Sequence, residues 1–213
     1  PVLFAAYRFD LAALALVSYV LVTQDAPLPR TRADFVAVGF SGGLSVAANN
    51  SLLFVGQQYT TSGIASVVYS LVPIATAAAA ATWLGDSGLD ARGYVGVLLA
   101  FLGVALVAQP DPANLAGGVT VGVGLILVGV VAVSVGAVGI RTVSPSIPSV
   151  ALTAWAMLLG GLLIHGFSLG LGEEQMAPVA EPLPLLALAF LGLLSSAGAY
   201  SFYFALLDRL GAF

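Results

Sequence analysis

Two apolar runs, 35–56 and 62–84, are joined by nothing longer than Gln57-Gln58-Tyr59-Thr60-Thr61. Each run has about the 20 residues that an α-helix needs to cross the hydrocarbon core of a bilayer. Inside them sit Asn49, Asn50, Tyr69 and Pro73, which lipid does not accept without compensation. Amides and helix breakers at that depth face protein or a water-filled cavity. This hairpin is therefore expected to line the path of a solute. Composition agrees with the membrane setting. Only 8% of the 213 residues are charged and 60% are hydrophobic, whereas a soluble domain carries about 25% charged residues.

Seven spans follow from hydropathy: residues 3–22, 35–56, 62–84, 92–108, 118–140, 149–170 and 184–206. Turn-forming clusters separate them, among them Asp25-Ala26-Pro27-Leu28-Pro29, Gln109-Pro110-Asp111-Pro112 and Ser144-Pro145-Ser146. The runs show no period-2 alternation, which argues for an all-α polytopic protein and against a β-barrel. Pro1 is not an initiator methionine, and the last span reaches almost to Phe213, so the sequence reads as part of a longer chain. Arginine sets the expected orientation. Arg30, Arg32, Arg92, Arg141 and Arg209 fall on one side, and the loops of the other side contain none. The positive-inside rule makes the arginine side cytoplasmic and the setting a plasma membrane, crossed many times.

Several chemistries are excluded. No cysteine means no disulfide and no thiolate metal site. No lysine means no Schiff base to retinal and no Walker A lysine. No cofactor or metal is expected, and the net charge of −4 lies in loops, so nothing points to nucleic acid.

An internal repeat is a second signal. Shifted by 150 residues, the second span lies on the seventh, so that Gly42, Ser45, Ala47, Ser51 and Phe54 meet Gly192, Ser195, Ala197, Ser201 and Phe204. Five spans separate the two copies, an odd number, so they run in opposite directions. Inverted repeats are a recurrent plan of secondary transporters, with the substrate site at the repeat interface.

Several motifs carry a family resemblance. They are Phe4-Ala5-Ala6-Tyr7-Arg8-Phe9, Leu53-Phe54-Val55-Gly56-Gln57-Gln58-Tyr59-Thr60, Leu71-Val72-Pro73-Ile74, Trp83-Leu84-Gly85-Asp86, Gly93-Tyr94-Val95-Gly96, Gly103-Val104-Ala105-Leu106-Val107 and Ala205-Leu206-Leu207-Asp208-Arg209-Leu210-Gly211-Ala212. Together they resemble the EamA-type transporters of the drug/metabolite transporter superfamily. The resemblance implies ten helices in two inverted five-helix repeats, of which this chain would supply helices two to eight. Residues 1–108 would form the first repeat without its first helix, and 118–213 the second without its last two. It further implies transport of small metabolites, often outward. Asp86 stands where the family usually has Glu, and no aromatic residue stands near Val135-Gly136.

Within the spans, Ser62, Ser66, Tyr69, Pro73 and Thr76 recur at steps of four and three and form one polar stripe on a helix. Pro73 lacks an N–H, so the Tyr69 carbonyl should lose its helical partner and become an acceptor on that stripe. Asn49 and Asn50 point about 100° apart. Asn50, with its repeat counterpart Tyr200 and the neighbouring Tyr203, reads as a cavity residue. Asn49 lies on a small-residue face and reads better as an interhelical bond, although it too is a cavity candidate. His165 is the only histidine and could carry a coupling proton. Arg8 is a candidate for gating. Asp10 lies about 200° from Arg8 and needs a partner on another helix.

The leading function is secondary transport, outward, of small metabolites or amino-acid-like solutes by alternating access, with proton or ion coupling. Gly39-x-x-x-Gly43, Gly118-x-x-x-Gly122 and Gly166-x-x-x-Gly170 would allow close helix approach and a homodimer. Two other functions compete. An intramembrane serine protease would need Ser62 and His165 within hydrogen-bond reach, although Ser62 also suits a helix N-cap. A membrane subunit or scaffold would pack the stripe against another helix with no cavity beside it.

Overall fold

The computed structural model describes residues 2–85, 91–108, 118–174 and 182–192, all of them helices and short connections. We number the helices α1 (Val2–Thr23), α2 (Arg32–Gly56), α3 (Ser62–Trp83), α4 (Ala91–Ala108), α5 (Gly118–Val143), α6 (Ser149–Gly170) and α7 (Pro182–Ala189). Five of them, α1, α2, α3, α5 and α6, are long and apolar enough to cross a membrane. In α4 the apolar stretch, Arg92–Val107, is shorter. The seventh expected span is described only as far as Gly192, so Tyr200, Tyr203 and Arg209 lie outside the described residues.

Two apolar clusters organise the bundle. One is built by α1 and α6, where Leu3, Phe9, Leu16, Met157 and Ile164 are buried together. The other joins α3 and α5, with Val104 of α4, around Val68, Leu71, Ile126 and Val130. Between them runs α2, which packs on both α5 and α6. Its central segment, Gly39–Ala48, is π-helical. Three glycines in that segment lower the cost of the looser winding, and π-segments are frequent at functional sites. Residues 190–192, which the 150-residue shift lays on 40–42, are π-helical as well.

Helix contacts rest on missing side chains. A Cβ added to Gly122 of α5 would lie 2.7 Å from the Gly56 carbonyl oxygen, and one added to Gly56 would lie 2.8 Å from the Gly122 carbonyl oxygen. The two backbones touch there. Glycines 42 and 192 make a matched pair of contacts. A Cβ on Gly42 would meet the carbonyl oxygen of Ala156 at 2.8 Å and Leu159 Cβ at 3.0 Å. A Cβ on Gly192 would meet the carbonyl oxygen of Arg8 at 3.3 Å and Leu11 Cβ at 2.9 Å. In contrast, nothing lies within 4 Å of such an atom at Gly39, Gly43, Gly166 or Gly170.

Asp34 fastens one end of the bundle. It is the N3 residue of a capping box with Thr31, which starts α2. Its side chain is 1% exposed. The carboxylate accepts from the backbone N–H groups of Arg30 and Thr31 and, across the bundle, from those of Ser146 and Ile147 and from the Ser146 hydroxyl. At the opposite end Glu173 accepts from the N–H groups of Val2 and Leu3 and from the Ser168 hydroxyl. Burial pushes the Glu173 carboxyl up, while bonds from Ser168, Leu3 and Val2 pull it down. Each carboxylate thus ties the region where one helix starts to α6 or to the loop that leads into it.

Candidate functional site

α3 is not one helix. Its first half, Ser62–Tyr69, stops at Ser70, and its second, Val72–Trp83, starts with Pro73 as its second residue. Proline fits there because the first N–H groups of a helix have no intrahelical acceptor. At the break the Leu71 N–H turns to the Val68 carbonyl, three residues back, and the Ser70 hydroxyl donates to the Val67 carbonyl. Among the described residues no backbone N–H reaches the Tyr69 carbonyl across the break, in line with the effect expected of Pro73. Along α3 the polar residues take different neighbours. Ser66, Tyr69, Ser70 and Pro73 line a cleft of about 610 Å³ together with Leu53 and Gln57 of α2 and its C-terminal end. Thr76 turns away and donates to Ser134 of α5 at 3.1 Å. Ser62 does not line the cleft, and its carbonyl accepts the Ser66 hydroxyl. The N-cap of α3 is Thr61 rather than Ser62, with the Thr61 hydroxyl accepting from the Ile64 N–H.

The two asparagines face different neighbours, as their angular separation requires. Asn49 is buried and donates its amide to the Tyr69 hydroxyl at 2.9 Å, which fixes the phenol at the cleft wall. It thus joins two helices and holds a cleft residue at once. Asn50 turns towards α1, where its Oδ1 accepts from Arg8 Nη2 at 3.1 Å while its own amide caps the Val46 carbonyl. The Arg8 guanidinium lies 4.6 Å from the Phe9 ring centroid and 5.8 Å from that of Phe54, within the range of a cation–π contact. Arg8 is thus drawn against α2 rather than stretched along α1 to the bilayer surface.

Asp10, on the other side of α1, finds the partner that its position demanded. Its Oδ2 lies 2.6 Å from His165 Nε2 on α6. The Tyr7 ring meets the imidazole edge-on, with centroids 5.3 Å apart. Gly161 makes room for the carboxylate, since a Cβ there would lie 2.7 Å from Asp10 Oδ1. Among the described residues Ser62 and His165 share no hydrogen bond, so they form no Ser–His dyad. No group of three or more metal-binding side chains occurs among them either.

The profile of the EamA-like transporter family matches this sequence twice, over residues 1–109 and again over 120–213. The chain belongs to the EamA-like transporter family. Over 98% of its length it is 26% identical to an uncharacterized transporter of Archaeoglobus fulgidus, and the match spans 71% of that protein. It is 31% identical over 103 residues to the uncharacterized transporter YyaM of Bacillus subtilis, covering 48% of this chain and 33% of that one. No solved structure matches significantly. This EamA-like chain is therefore a multi-pass membrane protein of a transporter family.

Proposed function

We propose that this protein moves small metabolites or amino-acid-like solutes outward across the plasma membrane by alternating access, with the solute held in the cleft at the α3 break. The observation that carries the proposal is that cleft: Tyr69, Ser70 and Pro73 of a broken helix border a space of about 610 Å³, and Asn49 holds the phenol in place. Broken helices in transporters supply free backbone groups where they line a cavity. Lining side chains that are hydroxylic, amide or apolar, with no charge among the described ones, suit zwitterionic or neutral solutes better than strong anions.

The two repeats are read as inverted copies, 1–108 and 118–213. The double match of one family profile supports that reading. So does the crossed packing of Gly42 on α6 and Gly192 on α1. Each glycine meets a carbonyl at one position and a leucine three residues further on, as a two-fold axis in the membrane plane would require. Arg8–Asn50 is assigned to gating between α1 and α2, and Tyr200 and Tyr203 are kept as candidate solute-binding residues. Arginines 30, 32, 92, 141 and 209 are assigned to the cytoplasmic side.

The test is flux in vesicles containing the full-length protein, with a panel of zwitterionic amino acids and neutral amphipathic metabolites. Pro73→Ala and Tyr69→Phe should each reduce flux roughly tenfold, about 1.4 kcal/mol of barrier, with unchanged membrane insertion. Unchanged flux in both variants would reject the cleft as the path.

A further inference from the structure

We infer that Asp10 and His165 form a proton-binding site at the seam between α1 and α6, and that its loading and unloading couple a proton to the conformational cycle. The inference rests on the transporter reading and adds the coupling ion to it.

The geometry comes first. The N···O distance is 2.6 Å, and the two side chains come from helices that the chain separates by 155 residues. These helices belong to the two different profile matches. His165 lies five residues before the end of α6, so the pair sits about 8 Å in from that helix end. That is within a hydrocarbon core about 30 Å thick. An ionisable pair at that depth is costly to retain and marks a functional position by default. Nor is it a sealed packing feature, because the His165 side chain is 24% exposed and that of Asp10 36%.

Charge supplies the coupling. With Asp10 ionised, the hydrogen between the residues sits on Nε2 of a neutral imidazole, and the pair carries a net charge of −1. One proton from water adds to the lone pair of Nδ1. The imidazolium and the carboxylate then sum to zero. Later Nδ1 returns that proton to water, and the charge of −1 is restored. A net charge at membrane depth favours a conformation that keeps water beside the pair, while a neutral pair tolerates closure around it. The protonation state therefore biases which conformation is occupied.

Few other groups compete. From α1, Tyr7 presents its ring to the imidazole, while Arg8 is directed to Asn50 on α2. Two α2 segments pack on α6: Gly39–Ala48 contains no titratable side chain, and Arg32–Val38 carries Arg32 and Asp34, the latter engaged by Thr31, Ser146 and Ile147 at the other end of α6; among the described residues 182–192, which meet α1, there is none either. Glu173 is engaged by Val2, Leu3 and Ser168.

These 213 residues contain no cysteine, so, with any cysteine outside them replaced, spin labels can be placed at Gln58→Cys and Leu171→Cys, two exposed sites on the same side of the bundle. The full-length protein in lipid nanodiscs should show two distance populations whose ratio changes at least about fivefold between about pH 5.5 and pH 8.5. Asp10→Asn and His165→Gln both keep a hydrogen-bonding side chain, and each should abolish that pH dependence while two populations remain. Populations that ignore pH in the unsubstituted background, or that respond equally in both variants, would overturn the inference. Solute flux that persists under such a result would leave the transporter reading standing, so the two failures are distinguishable.

Discussion

Asp34→Ala should lower the thermal midpoint of the purified protein by on the order of 10 °C, although the residue touches neither the cleft nor the Asp10–His165 pair. Its carboxylate takes four backbone N–H donors, from Arg30, Thr31, Ser146 and Ile147. Alanine would leave them without an acceptor at a site where Asp34 itself is 1% exposed. Unpaired buried donors cost more than the bonds themselves contribute. The α2 cap and the approach to α6 would loosen together, since one side chain serves both. Asp34→Asn keeps one acceptor oxygen and should fall between the two. Asp25 is exposed, and Asp25→Ala should leave the midpoint within about 2 °C. Scanning fluorimetry of the three variants in detergent checks the order, and equal midpoints for Asp34→Ala and Asp25→Ala would refute the staple.

Gly122→Val should be at least as damaging, through packing instead of polarity. The added Cβ would sit 2.7 Å from the Gly56 carbonyl oxygen and 3.0 Å from Tyr59 Cβ. The first of these is backbone, so no rotamer change relieves it. α2 and α5 must part, and the contacts on both sides of the crossing weaken with distance. Overpacking of this kind costs typically 1–3 kcal/mol and more when backbone must move. The effect should appear as a lower yield of monodisperse protein and a midpoint several degrees down. Gly124→Val, on the same helix at a position with nothing within 4 Å, isolates the packing term and should change neither. In that sense the three Gly-x-x-x-Gly spacings are not equivalent. Of their six glycines only Gly122 is in close contact with another helix among the described residues.

The spans were legible because hydropathy and breakers both report on them. Ser149–Gly170 begins and ends at the expected residues. Legibility fades where structure depends on a partner. The break in α3 followed from Pro73, but the bond of Thr76 to Ser134 and the place of Ser70 at the cleft depend on neighbours that a straight-helix projection does not include. The π-segment of α2 has no periodic signature, only an excess of glycine. Asp34 was readable in principle, since Thr31-x-x-Asp34 before an apolar run is a capping box, yet its bonds to Ser146 and Ile147 were not. Asp10 was recognisably in need of a partner, but nothing local could name a histidine 155 residues away. The opposed directions of Asn49 and Asn50 followed from helix geometry alone, and the structure gives each its own neighbour.

The most direct test of the solute path uses a single cysteine. With any cysteine outside these 213 residues replaced, Ser70→Cys introduces a single thiol into the cleft wall, and Leu171→Cys places one on an exposed site at the end of α6. In full-length protein held in nanodiscs, a saturating transported solute should slow modification of the Ser70→Cys thiol by a small hydrophilic reagent about fivefold or more, while leaving that of Leu171→Cys unchanged. Equal modification rates with and without the solute at Ser70→Cys, in protein that still transports it, would contradict the account.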